Sequence, residues 1–67
     1  MKVFTVKASY PQFNDALSRW VESQPELIHL ATRHGKTYQV FVKDVNFMAL
    51  IASLQDAGIP SKVTLEF

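Results

Sequence analysis

Apolar and polar residues alternate from Lys2 to Ala8 (KVFTVKA), with Phe4 and Val6 on one face and Val3, Thr5 and Lys7 on the other. A two-residue period in β-forming residues predicts a strand, and Phe4 and Val6 are its inward residues. The spacing then changes. Phe13, Ala16, Leu17, Trp20 and Val21 recur at helical intervals, separated by Asn14, Asp15, Ser18, Arg19 and Glu22. This predicts an amphipathic helix of about three turns. Ser9 is its expected cap, Gln12 completes a capping box, and Pro11 suits the first turn. Pro25 disfavours helical backbone at Gln24 and ends the element.

Residues Glu26 to Thr32 (ELIHLAT) predict a second strand. Ile28 and Leu30 share one face; Leu27, His29, Ala31 and Arg33 share the other. His34-Gly35 is a turn signal, because glycine readily takes positive φ. Lys36 to Lys43 (KTYQVFVK) returns as a third strand, with Tyr38, Val40 and Val42 inward and Thr37, Gln39 and Phe41 outward. Two strands around a tight turn make an antiparallel hairpin.

The second helix has the clearest punctuation. Asn46 is its expected N-cap, with Val45 and Leu50 placed for a hydrophobic staple. Phe47, Leu50, Ile51 and Leu54 line one side. Gly58 suits the left-handed position after the helix, Ile59 can fold back on Leu54, and Pro60 blocks continuation. Lys62 to Phe67 (KVTLEF) closes the chain as a strand, with Val63, Leu65 and Phe67 inward and Lys62, Thr64 and Glu66 outward.

The element order is therefore β-α-β-β-α-β. Each helix has one apolar stripe, so both belong on one face of a four-stranded antiparallel sheet. Connection rules then predict an α+β fold, the ferredoxin-like split sandwich with strand order 4-1-3-2. The 67 residues form one domain, 1–67, with a thin core.

Composition narrows the function by exclusion. Seven basic residues against six acidic ones leave a net charge of +1, which gives no electrostatic case for nucleic acid or membrane. The absence of cysteine excludes disulfides, thiol catalysis and zinc-finger spacing. It also fits a cytoplasmic setting. No leader peptide opens the chain and no apolar run spans a bilayer, so a soluble protein is expected. His29 and His34 have opposite strand parity, which argues against a shared metal. No serine sits in a GxSxG elbow. Neither a catalytic residue nor a metal ligand is assigned, and no cofactor is expected.

The open sheet face is the one surface left. Its expected binding residues are Lys7, His29, Arg33, Thr37, Gln39, Phe41, Lys43 and Lys62, with Val3, Leu27 and Ala31 among the apolar positions. Such a mixed face suits a protein partner or self-association, as do the unpaired edges of the sheet. RNA-recognition motifs share the element order and stack bases on aromatics of the central strands. Here Phe41 is the lone outward aromatic and Gln39 replaces the small residue that close stacking needs. Single-stranded nucleic-acid binding is thus the alternative and protein contact the first reading.

Val40 and Val42, Val45-Asn46, Ala49, Leu54, Gly58-Ile59 and Glu66 also form a spaced pattern, preceded by KVFTVKAS and a helix beginning near Gln12. In these positions the chain resembles the activation (pro-) domain of A/B-type metallocarboxypeptidases. The resemblance implies an inhibitory, chaperoning domain whose sheet packs over an enzyme's cleft. The tight His34-Gly35 turn departs from that family's longer connection. An engineered sequence on the same backbone, with no role beyond folding, would show the same pattern.

Overall fold

The computed structural model describes residues 1–66. Strand β1 (Lys2–Ala8) leads through a 3-10 turn (Pro11–Phe13) into helix α1 (Asn14–Glu22). Strands β2 (Ile28–His34) and β3 (Thr37–Val42) form a hairpin. Helix α2 (Asp44–Asp56) and strand β4 (Ser61–Glu66) follow. All pairings are antiparallel, and the order across the sheet is β2-β3-β1-β4. This is the expected ferredoxin-like arrangement, with β1 and β3 in the centre.

The core lies between one sheet face and the two helices. Phe4, Val6, Val40 and Val42 of the central strands are fully buried, beneath Leu17 and Trp20 of α1 and Phe47, Leu50 and Leu54 of α2. The rings of Phe4 and Phe47 meet edge to face, 5.8 Å between centroids, the arrangement aromatic quadrupoles favour.

Both expected helix caps are corrected. The N–H of Ser9 donates to the carbonyl of Pro60 at 2.8 Å, so Ser9 prolongs the β1–β4 ladder instead of capping α1. Tyr10 precedes the 3-10 turn, and no side chain caps it. Helix α2 begins two residues before Asn46: Lys43 is the N-cap, and Asn46 donates its N–H to the Lys43 carbonyl within the first turn. Val45 then points to solvent at 86% exposure and makes no staple. Asp44 instead places a carboxylate on the positive end of the helix, 3.3 Å from the Met1 ammonium.

The C-terminal punctuation of α2 is as expected. Gly58 has φ of 69° and donates its N–H to the Gln55 carbonyl, and Ile59 and Leu54 share the core. The hairpin loop is Gly35-Lys36. Only Gly35 has positive φ, 65°, the pattern of a type II′ turn.

Strand β2 departs from its expected alternation. It begins at Ile28, later than Glu26, and runs on to His34. Ile28 pairs with Val42 but Leu30 pairs with Phe41, so an extra residue, His29, is accommodated between them. Every side chain after this bulge exchanges faces. Ala31 pairs with buried Val40 and Arg33 with Tyr38. Leu30, expected inward, lies on the open face opposite Phe41. Leu27, expected outward, packs against the core.

Strand β4 has the expected parity with incomplete cover. Val63 and Leu65 stand opposite Val6 and Phe4, yet they are 39% and 46% exposed. Phe67, expected inward on the same strand, lies outside the described residues.

Candidate interaction surface

The strand registers turn the open face into three rows of four. Leu30, Phe41, Val3 and Glu66 form the first. Thr32, Gln39, Thr5 and Thr64 form the second, and His34, Thr37, Lys7 and Lys62 the third. The face thus grades along the strands from apolar, through hydroxyl and amide groups, to basic.

The apolar row carries a half-buried Phe41 and Val3 on the central strands and a 54% exposed Leu30 at the edge. Neighbouring strands lie about 4.8 Å apart, so these side chains are contiguous. Glu66 closes the row at the opposite edge and reaches back across the sheet. Its Oε1 accepts from Thr5 Oγ1 at 2.7 Å and its Oε2 from Gln39 Nε2 at 3.2 Å. These bonds orient the Gln39 amide and the Thr5 hydroxyl, and they hold the carboxylate beside the apolar row.

In the basic row Lys7 and Lys62 stand directly opposite one another. At the hairpin end, Thr37 Oγ1 donates to the His34 carbonyl at 2.8 Å. This side-chain bond ties the two strands together beside the turn.

Of the residues expected to bind, Lys7, Thr37, Gln39, Phe41 and Lys62 lie on this face. Arg33 does not. Its guanidinium lies 6.0 Å from the ring of Tyr38, and its Nε donates to the Gly35 carbonyl at 2.8 Å. Tyr38 shares a hydrogen bond with Ser18 of α1, which places this pair on the helix side. Lys43 falls beyond β3, and with His29 it lines a shallow cleft of about 260 Å³ at the end of the sheet, beside Pro25 and Asn46. Leu30, Thr32 and His34 are the face residues that sequence parity misplaced or left out. The turn held the missing signal: a two-residue loop pairs His34 with Thr37, and counting back from there puts Ala31 against Val40.

Among the described residues no group of three or more His, Cys, Asp or Glu comes together as a metal site would require. Among the same residues no helix is long and apolar enough to cross a membrane. The chain is a small folded domain with one open sheet face.

No protein-family model matches the chain, and no curated protein matches it. A similar solved structure is the solution structure of the peptidoglycan binding domain of the B. subtilis cell wall lytic enzyme CwlC. It is 20% identical, with a TM-score of 0.45, over 100% of this chain and 92% of that one. The resemblance to a carboxypeptidase activation domain is corrected: no family model, of activation domains or any other, matches the chain. The shared pattern has a physical source. Val40, Val42, Leu54 and Ile59 are buried core positions and Gly58 is the left-handed residue that ends α2, so the fold itself selects them.

Proposed function

We propose that this chain is a non-catalytic binding module that docks a protein through the Leu30–Phe41–Val3 row of its open sheet face. The carrying observation is the bulge at His29, which sets Leu30 beside Phe41 and makes one continuous apolar strip. Apolar strips rimmed by polar groups mark partner surfaces. Here the rim supplies Gln39, Thr5 and Glu66 for hydrogen bonds and Lys7 for charge.

The test is affinity capture from the native source, followed by reconstitution of each enriched protein with purified components. Binding lost on Phe41→Ala and on Leu30→Ala, and unchanged by Met48→Ala on the exposed side of α2, supports the reading. Binding insensitive to both face substitutions overturns it. A parallel titration with single-stranded RNA at low salt covers the alternative. RNA binding that depends on Phe41, Lys7 and Lys62 would favour base stacking over protein docking.

A further inference from the structure

Strand β4 is an edge strand whose groups suit a second copy of itself. The Ser9 N–H bonds to the Pro60 carbonyl, and the β1–β4 register runs without a shift from Ala8–Ser61 to Val3–Glu66. Hydrogen-bonded pairs alternate along an antiparallel ladder. Lys62, Thr64 and Glu66 therefore turn their backbone groups toward β1. Ser61, Val63 and Leu65 turn theirs outward, without a partner among the described residues. Two of these outward-bonding residues, Val63 and Leu65, also remain 39% and 46% exposed on the helix side. Edge strands are usually blocked from pairing by a charge, proline or bulge. The charged side chains of β4 are Lys62 and Glu66, of opposite sign and both on the open face, so its helix-side row of Val63 and Leu65 carries no charge.

We infer that two copies of this chain pair β4 against β4 in antiparallel fashion about a two-fold axis at Thr64, forming a continuous eight-stranded sheet. That register brings Val63 opposite Leu65 of the second copy, and these are residues with free backbone groups. It also brings Lys62 opposite Glu66 of the second copy, twice per dimer. An axis at Val63 instead is allowed by the backbone pattern but sets Lys62 against threonine. Charge complementarity selects the Thr64 axis. The same pairing answers the Lys7–Lys62 juxtaposition within each copy, because the second copy's Glu66, while accepting from its own Thr5 and Gln39, stands across the strand pair from Lys62. It covers Val63 and Leu65 on the helix side. The inference does not rest on the open-face reading: Lys62 and Glu66 border both surfaces, and the Leu30–Phe41–Val3 row stays uncovered in the dimer.

Sedimentation equilibrium on the full chain tests it. The parent should show a reversible monomer–dimer equilibrium. Lys62→Glu alone and Glu66→Lys alone each set like charges opposite, and each should weaken the dimer by about tenfold or more. An equimolar mixture of the two variants should restore a 1:1 heterodimer. In the mixture the introduced glutamate faces the introduced lysine, and native Glu66 faces native Lys62. A parent that stays monomeric to millimolar concentration overturns the inference. So does a dimer indifferent to both substitutions, or a mixture that remains monomeric while circular dichroism shows both variants folded. If Glu66→Lys does not fold, Lys62→Glu and Lys62→Gln carry the test. Graded weakening supports the pairing, and an unchanged dimer overturns it.

Discussion

The indole N–H of Trp20 donates to the Oγ of Ser53 across 3.2 Å, joining the buried side of α1 to the flank of α2. Trp20 is almost fully buried, so this donor would otherwise stand without a partner in the core. The bond fixes how the helices sit side by side on the sheet. Ser53→Ala should therefore cost about 1–2 kcal/mol, the loss of a bond plus an unsatisfied buried donor. Chemical denaturation followed by far-ultraviolet circular dichroism reads this directly, and that signal survives loss of the single tryptophan. A double-mutant cycle with Trp20→Phe should show coupling between the two sites.

Truncations in the core should be much more costly. Leu54 and Phe47 are both buried, and Phe47 meets Phe4 edge to face. Leu54→Ala or Phe47→Ala should each lower stability by about 2–5 kcal/mol. An unchanged denaturant midpoint for either would mean that α2 presents a different side to the sheet.

Gly58→Ala isolates backbone strain from packing. An added Cβ would have nothing within 4 Å, while φ is 69°. The expected loss is about 1 kcal/mol, from left-handed backbone alone. Thermal unfolding measures it, and Ala57→Gly, just before it, serves as the comparison for an ordinary helical φ.

Lys62→Glu should stabilise the monomer by about 0.2–1 kcal/mol, because it replaces a like pair opposite Lys7 with an unlike one. The gain should shrink as salt is added, since both side chains are exposed. Unfolding curves at dilute concentration and two ionic strengths report the sign. The same substitution weakens the proposed dimer, so one change should move two measurements in opposite directions.

Much of the fold was legible because independent signals agreed. Helical spacing at Leu17 and Trp20, alternation at Phe4 and Val6, and the Gly58-Ile59-Pro60 stop all describe one architecture. Helix starts were less legible. Ser9 and Asn46 have good capping chemistry, but the ladder bond to Pro60 holds the first, and the second lies inside a helix that begins at Asp44. The open face was legible on β1 and β3, whose neighbours on both sides fix their parity. On β2 it was not, because Ile28 and Leu30 look like one apolar stripe until the bulge separates them. An inserted residue leaves no mark on composition or on local propensity. It shows only when the hairpin turn and the partner strand are counted together.

Leu30 and Ala31 carry the central claim, because the bulge sends them to opposite faces. The most direct measurement is the denaturant midpoint of Leu30→Asp beside that of Ala31→Asp. With Leu30 on the open face and Ala31 against the core, Leu30→Asp should stay within about 1 kcal/mol of the parent. Ala31→Asp, which sets a carboxylate at a partly buried position against the core, should lose about 2 kcal/mol or more. The reverse ranking, with Leu30→Asp the damaging change, would place Leu30 in the core and contradict the apolar strip beside Phe41.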